Sequence, residues 1–442
     1  MKRWTAMLLL PAIVLTLAAC GANGTGETTT ESAQTTAAET VTTTEAAAEA
    51  QADEWSFDES TGTLSLYAQR QLEKTPYPGD PADVRAVVLS GSVEKVVSAG
   101  TDCDGLAVYP QLRKLTLGDG VQRLETGAFN GCHKTEEIRI GSGLSFIADN
   151  AFFGTEYSAG SAGCTELKRI EVSRDNPHFT AEDNVLYNKD RTELILYPTC
   201  REKTEFTIPD SVRSVRWFAF SGNETIRSLT VGKGIETFDF SLFGCNALRD
   251  LTLPDTLREI GDSAIKYCGV RSVTIPDSVT TLGIEAFLQC KDLQSIHVGK
   301  GVVLEPDAYS VWFNGPALKT ITVDPQNASL CVSDGALFSK DRKTLFAFPG
   351  GSEQTAYSVP DGTQTLAYNA FVDNGRLKKI YIPASVTTIN AEDLCPYDME
   401  EGAYSYPFEV WYGGSRMQWE NAIRGAGGTE GLTLYCDAEK IG

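Results

Sequence analysis

The sequence predicts a repeat solenoid built around one continuous parallel β-sheet of about a dozen rungs. Three observations support this fold class. A six-residue apolar pattern, first clear in Leu112-Arg-Lys-Leu115-Thr-Leu117, recurs with a base period of 22 to 23 residues. Each copy is followed by a turn and a second apolar segment. The 389 residues from position 54 onwards are also too many for a single compact core, which leaves either two or three domains or a repeat array, and the recurring pattern favours the array.

The pattern keeps its spacing along most of the chain. Later copies end at Ile140, Val172, Ile208, Val231, Leu253, Ile275, Val298, Val323, Val359 and Ile382, and weaker copies end at Leu89 and Tyr412. Between Leu117 and Ile382, one spacing is 25 residues, one is 32 and two are 36. These longer spacings indicate insertions.

The second half of each copy is as regular as the first. In Ile275-Pro-Asp-Ser-Val279-Thr-Thr-Leu282-Gly-Ile-Glu-Ala286-Phe287-Leu-Gln-Cys290, the proline cannot donate to a strand ladder and therefore ends the strand. Val279, Leu282 and Phe287 are then predicted to point inward and close the coil around an apolar axis. Other copies replace the proline by a Gly-x-Gly turn. These turns lack the strand-to-helix context of a phosphate-binding loop.

The L-x-x-I-x-I strand, the I-P-D-S-V turn and the A-F-x-x-C closing segment together resemble the BspA-like leucine-rich-repeat family. The resemblance covers residues 84–412 and implies a parallel sheet with short helical turns. It also implies roles such as adhesion to host or neighbouring-cell proteins, without assigning binding residues. Residues 54–83, with the pattern from Trp55 to Leu66, are similar to the N-terminal cap of such repeats, and residues 413–442 look like their C-terminal cap.

The two spacings of 36 residues are predicted to be insertions of one kind. They begin at Ser173 and Asp324, 151 residues apart, and share ten identities over 36 positions. In each, a short apolar run, a Lys-Asp-Arg turn and a second apolar run indicate a β-hairpin. Structural elaboration is favoured over a dedicated binding device. A Gly- and Ser-rich segment at 156–163 is interpreted as a surface loop.

The N-terminus has the features of an export signal. Lys2 and Arg3 precede an apolar run that ends at Leu17-Ala-Ala-Cys20 and is too short to span a bilayer. The four residues ending at Cys20 resemble the lipobox of bacterial lipoproteins, which implies cleavage after residue 19 and lipidation of Cys20. An ordinary secretory cleavage is the alternative. Residues 20–53 are rich in Thr, Ala and Glu and are predicted to form a disordered stalk behind the lipidated cysteine.

The charge balance argues against one class of partner. The leader contributes +2 and residues 21–53 contribute −6, so the formal charge of −21 leaves −17 for residues 54–442. A surface of that net charge repels phosphate backbones. Nucleic acid is therefore not expected as a partner.

Six of the ten cysteines after Cys20 follow the repeat. Cys132, Cys164, Cys200, Cys245 and Cys290 lie eight residues before a strand end, and Cys268 lies seven before. A position repeated in this way is typical of a buried ladder, so free thiols are favoured over disulfides, which export permits. Cys103, Cys331, Cys395 and Cys436 lie outside this register, and Cys395 with Cys436 is the pair to test for a bridge. The spacings do not favour a zinc site.

If the apolar strand positions face inward, the alternate positions form an exposed face. The candidate binding residues on it are Thr230, Thr252, Thr274, His297, Thr322 and Tyr381. β-propensity on a solvated surface also explains the threonines. The functional interpretation is a flat polar surface for a protein or glycan, with Tyr381 and Trp411 as anchors unless Trp411 belongs to the cap.

The sequence favours binding over catalysis. Its three histidines, His133, His178 and His297, lie in different repeats, and no familiar catalytic motif is present. Asp102 to Gly105 matches only a fragment of a calcium loop. No cofactor or metal is predicted. We therefore expect an exported lipoprotein, anchored to the envelope through its lipid and displayed extracellularly, that binds an unidentified protein or glycan. The alternatives are an envelope scaffold without a dedicated ligand and a solute-binding lipoprotein, which the unbroken repeat disfavours.

Overall fold

A computed structural model describes residues 55–74, 77–98, 105–153, 163–304, 315–390, 394, 397–398, 403–404, 408–424 and 432–437. All of them belong to the unit that spans Ala50–Gly442. The predicted signal peptide, Cys20 and the stalk lie outside the described residues, as do Asp102 to Asp104, most of the segment 156–163, and Cys395.

Short strands account for most of the regular structure. The first nine are β1 (Trp55–Asp58), β2 (Thr63–Leu66), β3 (Ala86–Leu89), β4 (Lys95–Val96), β5 (Lys114–Leu117), β6 (Arg123–Leu124), β7 (Glu137–Ile140), β8 (Phe146–Ile147) and β9 (Arg169–Val172). The next thirteen are β10 (Phe179–Glu182), β11 (Val185–Asn188), β12 (Glu193–Leu196), β13 (Glu205–Thr207), β14 (Ser214–Val215), β15 (Ser228–Thr230), β16 (Thr237–Phe238), β17 (Asp250–Thr252), β18 (Glu259–Ile260), β19 (Ser272–Ile275), β20 (Thr281–Leu282), β21 (Ser295–Val298) and β22 (Thr320–Val323). The last twelve are β23 (Leu330–Ser333), β24 (Ala336–Ser339), β25 (Thr344–Ala347), β26 (Ala356–Ser358), β27 (Thr365–Leu366), β28 (Lys379–Ile382), β29 (Thr388–Asn390), β30 (Tyr397–Asp398), β31 (Ala403–Tyr404), β32 (Phe408–Tyr412), β33 (Ile423–Arg424) and β34 (Leu432–Tyr435).

These strands confirm the predicted solenoid, which has about fourteen turns. Each regular turn contributes one main strand and one shorter strand. The main strands form a first sheet (β1-β2-β3-β5-β7-β9), a middle sheet (β13-β15-β17-β19-β21-β22) and a third sheet (β26-β28-β32-β34). All their pairings are parallel except that of β1 with β2, which form an antiparallel hairpin. The third sheet continues beyond residue 412, because β34 pairs in parallel with β32.

The prediction of one continuous main sheet is wrong. The sheet is divided between β9 and β13 and again between β22 and β26, which are the positions of the two insertions. One backbone hydrogen bond spans each division, from Cys200 N to Leu167 O and from Gly351 N to Leu318 O, both 2.8 Å long. The chain returns from each insertion displaced from the ladder, so the next strand does not pair with the previous one.

The two predicted β-hairpins are confirmed. β10, β11 and β12 form an antiparallel run, and β23, β24 and β25 form its counterpart. The last strand of each run pairs in parallel with a short strand of the next repeat, β12 with β14 and β25 with β27. Each insertion therefore supplies the short strand of its own repeat. The tight turns at Asp183 and Asp334 have φ values of 51° and 50°, a conformation that aspartate tolerates better than most residues.

A buried asparagine fixes the start of each insertion. Asn176 Nδ2 donates to Gly141 O at 2.9 Å and Leu144 O at 3.0 Å, and its Oδ1 accepts from the amides of His178 and Phe179 at 2.8 Å. Asn327, 151 residues later, makes the same four contacts with its own neighbours. Both side chains are almost completely buried. Each amide group therefore connects one repeat to the turn that leads into the next hairpin.

The inward positions of both strand rows form the core. Apolar side chains that are completely or almost completely buried extend from Leu64 to Ala422 in three large clusters. After the first hairpin, aromatic rings continue the packing from one repeat to the next. The ring of Phe220 lies 5.2 Å from that of Tyr197 and 5.8 Å from that of Phe240. Stacking between neighbouring repeats is thus the main source of apolar burial.

Helix is rare among the described residues. The closing segments are turns, and the helices are Gln69–Glu73 and Arg416–Ala422, with 3-10 turns at Pro81–Asp83 and Leu106–Val108. The second helix has a capping box, in which the hydroxyl of Ser415 accepts from the amide of Gln418 and the Gln418 side chain accepts from the amide of Ser415. Within the described ranges, no helix is long and apolar enough to cross a membrane.

Candidate binding face

The main strands present a regular polar surface to solvent. In β19, Val273 and Ile275 are buried while Ser272 and Thr274 are exposed, and most other main strands alternate in the same way. We define the outer face as the two outward positions of each main strand from β3 to β32, together with the position directly before the strand. The sequence-based assignment of inward and outward positions is therefore confirmed for the middle sheet.

Five of the six predicted binding residues lie in one column. Thr230, Thr252, Thr274, His297 and Thr322 occupy equivalent positions in β15, β17, β19, β21 and β22. We call this set the threonine column. Thr252, Thr274 and Thr322 are exposed, and Thr230 and His297 are half-buried. The column therefore presents hydroxyl groups at intervals of one rung, about 4.8 Å.

His297 is tied into this column by a hydrogen bond. Its Nδ1 lies 2.9 Å from Thr322 Oγ1, which also lies 3.4 Å from Ile296 O. The threonine hydroxyl either donates to the imidazole nitrogen, or accepts from it and donates to the Ile296 carbonyl. In either case the hydrogen bond links two neighbouring members of the threonine column.

The prediction of an exposed anchor at Tyr381 is wrong. Tyr381 occupies the equivalent position in β28, paired with Ser358 and Trp411, but its side chain is only 8% exposed. Its hydroxyl lies against Gly413, where an added Cβ would come within 2.7 Å of it. Burial, followed by the charge of Asp361, raises the pKa of Tyr381. Gly413 directly follows β32, and its proximity to the Tyr381 hydroxyl is not apparent from the strand pattern alone.

Trp411, the residue that pairs with Tyr381 in the next strand, is half-buried. The ammonium of Lys379 lies 3.7 Å from its ring centroid, and its Nε1 donates to Glu409 at 3.0 Å. Its ring also packs against that of Tyr435, with centroids 4.8 Å apart. These contacts hold the indole within a local cluster of side chains.

A column of basic residues, which the strand pattern did not lead us to expect, lies at the start of the same strands, three positions before the threonine column. We call the position directly before each main strand the basic column. From β3 to β28 it contains Arg85, Arg113, Glu136, Lys168, Thr204, Arg227, Arg249, Arg271, Gln294, Lys319, Thr355 and Lys378. Within each sheet, every member's amide donates to the carbonyl of the preceding member, for example Arg249 N to Arg227 O at 2.8 Å. Eight of these twelve positions are basic and one is acidic, although the whole chain has 38 basic and 59 acidic residues. A Lys or Arg after the first apolar residue of the strand pattern is the signal that would have revealed the column.

The outer face therefore differs in charge from the rest of the domain. Its basic residues outside the column are Lys114, Arg139, Arg169 and Lys379, and its acidic residues are Glu136, Glu137, Glu171, Glu205, Asp250 and Glu409. Twelve basic and six acidic side chains give the face a formal charge of +6, so that the remainder of residues 54–442 carries −23. The net charge of the domain alone does not reveal this separation of positive and negative charge.

Some members of the basic column have carboxylate partners. Arg113 and Lys168 both contact Glu136, and Lys168 in particular, followed by Arg113, lowers the pKa of that carboxyl group. Lys319 lies 3.0 Å from Glu353 and lowers the pKa of that residue. Among the described residues, no carboxylate lies within ion-pair distance of Arg85, Arg227, Arg271 or Lys378, and all four are exposed. The cationic groups that remain free are therefore distributed along the face.

A groove of about 430 Å³ lies where the first sheet meets the first hairpin. Arg201 is almost fully buried on one side of it, where its guanidinium donates to Tyr197 Oη at 3.2 Å and contacts Asp183. Lys203 Nζ lies 2.6 Å from the same carboxylate and, together with Arg201, lowers the pKa of Asp183. These charges are paired with one another. These contacts therefore connect the turn of the first hairpin to the segment that follows β12.

The second concave region, of about 580 Å³, is open and shallow. Its lining includes Phe146, His178 and Arg216, and Arg216 donates to Ile147 O at 2.7 Å and to Glu193 at 3.0 Å. His133 and His297 lie elsewhere in the repeats. Among the described residues, no group of three or more His, Cys, Asp or Glu side chains is arranged to hold a metal ion.

The repeated cysteines form a ladder of free thiols. The eight described cysteines after Cys20 are unpaired, and Cys132, Cys164, Cys245, Cys268 and Cys290 are buried. Sulfur atoms contact carbonyl groups of the preceding repeat, as in Cys290 Sγ to Ile265 O at 2.8 Å and Cys245 Sγ to Phe220 O at 3.2 Å. Burial raises the pKa values of Cys132 and Cys268 to about 12. The preference for free thiols over disulfides is confirmed for these residues.

We expect the buried thiols to resist alkylation in the folded protein. At pH 8, N-ethylmaleimide should modify the partly exposed Cys200, Cys331 and Cys436 first, because a pKa near 12 lowers the thiolate fraction of Cys268 about a thousandfold relative to an ordinary thiol. Peptide mapping by mass spectrometry would measure the rates. Cys268 should react at a comparable rate only after unfolding in urea. Native-state labelling of Cys268 as fast as that of Cys200 would contradict the buried ladder.

The fold and the outer face define a repeat solenoid with a long polar sheet surface. A family model described as BspA type leucine rich repeat region matches six copies, at residues 108–171, 196–294 and 344–395. The chain therefore belongs to the BspA-type leucine-rich-repeat family. The matched family is a repeat region rather than a catalytic domain. A comparison with curated proteins found no match.

Several solved structures match over most of this chain. A leucine-rich repeat protein from Bacteroides ovatus is 17% identical, the match covers 86% of this chain and 97% of that chain, and the TM-score is 0.39. A leucine rich cell surface protein from Faecalibacterium prausnitzii is 16% identical, the match covers 84% of this chain and 96% of that chain, and the TM-score is 0.37. The pneumococcal vaccine antigen PcpA is 15% identical, the match covers 85% of this chain and 83% of that chain, and the TM-score is 0.37. At such identities and TM-scores, these proteins do not inform the function of this chain.

Proposed function

We propose that this protein is a lipoprotein displayed at the cell surface whose leucine-rich repeats bind an extracellular protein or glycan. The outer face of the middle sheet is the proposed binding surface. The observation that carries the proposal is the threonine column, in which Thr252, Thr274 and Thr322 stand exposed at equivalent positions of parallel strands. A rigid sheet holds these groups in fixed positions, so binding does not require them to be ordered first.

The N-terminal sequence supports display. The lipobox-like residues Leu17 to Cys20 supply an attachment point, and an acyl-modified cysteine with two or more chains would anchor stably. Residues 21–53 contain no Lys or Arg and only one large aliphatic side chain, Val41, so they offer little apolar surface for a core. Such a segment suits a tether that separates the repeats from the membrane.

Substitutions on the threonine column should reduce adhesion. Thr252→Gln combined with Thr274→Gln adds bulk without charge to two exposed positions, and we expect roughly tenfold weaker binding to the responsive ligand. The measurement uses bacteria that display the full-length chain, incubated with immobilised extracellular-matrix proteins and glycans. Ligands retained by the wild-type cells are then titrated against the variant.

The matched control is Thr237→Gln with Thr281→Gln, which alters exposed threonines of the short-strand row. This control should bind like the wild type. A Cys20→Ser arm of the same experiment should lose surface retention together with adhesion, since the lipid attachment point is removed. Failure of wild-type cells to bind any immobilised ligand, or equal binding by the threonine-column variant, would count against the proposed function and favour a scaffold.

A further inference from the structure

We infer that the basic column and the hydroxyl groups beside it bind a linear acidic polysaccharide that lies along the repeat axis. This inference rests on the proposed function, because it specifies the ligand class of the same outer face. The polysaccharide carries carboxylate or sulfate groups at regular intervals. Such a chain matches a surface on which cationic groups recur at the spacing of the rungs.

Cationic groups on neighbouring rungs are available to an acidic ligand. Arg227, Arg249 and Arg271 occupy consecutive rungs, at a spacing of about 4.8 Å. Like charges on neighbouring strands repel one another. Arg249 lies 3.5 Å from Asp292 and its guanidinium also donates to three carbonyl groups, whereas Arg227 and Arg271 have no described carboxylate within ion-pair distance. The guanidinium groups of Arg227 and Arg271 therefore remain available to a polyanion. They lie on either side of Arg249, whose guanidinium already has partners within the protein.

Local charge also distinguishes this face from its surroundings. The outer face carries +6 while the remainder of residues 54–442 carries −23. An anionic chain is therefore attracted to one surface and repelled by the others, which restricts where it can lie. The direction of the basic column fixes the direction of the bound chain.

The side chains next to the basic column favour a glycan over an acidic protein. The twelve outward positions of the middle sheet are Glu205, Thr207, Ser228, Thr230, Asp250, Thr252, Ser272, Thr274, Ser295, His297, Thr320 and Thr322. None is aliphatic, and the imidazole of His297 is the only ring. Protein interfaces are built around buried apolar or aromatic anchors, which these positions do not supply. Hydroxyl groups can instead donate to and accept from the hydroxyls of a sugar chain.

The same composition disfavours nucleic acid. Proteins that bind single strands combine a basic groove with aromatic side chains on which the bases stack. The outward positions of the middle sheet offer no Phe, Tyr or Trp. The strongly negative remainder of the domain also opposes a dense phosphate backbone.

The experiment measures binding of purified full-length protein, in detergent, to immobilised polygalacturonate, which carries only carboxylates, and dextran sulfate, which carries only sulfates. These probes separate carboxylate from sulfate as the recognised charge. Neutral dextran, poly-glutamate and a single-stranded thymidine oligonucleotide serve as comparison ligands. We expect binding to at least one acidic glycan that weakens as NaCl is raised. Arg227→Gln combined with Arg271→Gln should weaken that binding roughly tenfold.

The matched control is Arg213→Gln with Arg258→Gln, which removes two exposed charges from outside the basic column. This control has the same net charge as the test variant, and we expect it to bind the acidic glycan with wild-type affinity. The inference is overturned if neither acidic glycan binds, if both variant pairs lose affinity equally, or if poly-glutamate or the oligonucleotide binds as tightly as the glycans. If cells that display the protein still adhere through the threonine column while both acidic glycans fail to bind, the inferred ligand class is wrong and the proposed function stands.

Discussion

Replacing Asn176 or Asn327 by alanine should destabilise the protein by about 3 kcal/mol or more. Each side chain is almost fully buried and bonds to two carbonyls and two amides of the backbone. Alanine would leave these groups without their asparagine partners in an apolar setting, where each unsatisfied group costs about 1 to 3 kcal/mol. Urea unfolding followed by circular dichroism would measure the loss.

The duplicated geometry supplies an internal check on that result. Because Asn176 and Asn327 make equivalent contacts, their substitutions should cost similar amounts. Asn246→Ala removes an exposed asparagine side chain and should change stability by no more than about 0.5 kcal/mol. If Asn176→Ala unfolds at the same urea concentration as Asn246→Ala, the proposed role of the buried amide is wrong.

Phe220→Ala should cost about 3 to 5 kcal/mol. Phe220 is 1% exposed, and its ring packs between Tyr197 and Phe240 at the point where the chain resumes after the first hairpin. Truncation removes apolar burial and leaves a cavity between repeats, which rigid strands on either side cannot close. Stability of the full-length protein, measured by urea unfolding, is expected to fall accordingly.

Phe243→Ala is the matched control for this substitution. Phe243 lies in the next repeat, is 39% exposed and meets the ring of Tyr267 with centroids 5.1 Å apart. Its loss should cost about 1 kcal/mol. If both substitutions lower the free energy of unfolding equally, the buried ring of Phe220 does not stabilise the contact between the insertion and the repeats that follow.

Local patterns were sufficient to predict the solenoid. Residues such as Val279, Leu282 and Phe287 repeat at a fixed period, and each turn makes most of its contacts with its nearest neighbours. The pattern therefore contains nearly all the information that specifies a turn. The two spacings of 36 residues likewise predicted both hairpins, because alternating apolar runs around a tight turn form a hairpin wherever they occur.

The candidate site was predicted less completely. The threonine column followed from strand alternation, but the basic column did not, although Arg227, Arg249 and Arg271 are visible at intervals of 22 residues. The net charge of −17 suggested a uniformly acidic surface. Only the register of the strands shows that basic residues outnumber acidic residues on one face, whereas acidic residues predominate in the rest of the domain.

By itself, the sequence determined the repeat, the insertions and the inward and outward positions of the middle sheet, since these depend on residues close together in the chain. Tertiary structure decided the rest. The main sheet divides after β9 and β22 because each hairpin displaces the returning chain, and Asn176 bonds to carbonyls 32 and 35 residues earlier. Tyr381 is buried, with its hydroxyl close to Gly413. These features arise from contacts between segments far apart in sequence, which no local pattern encodes.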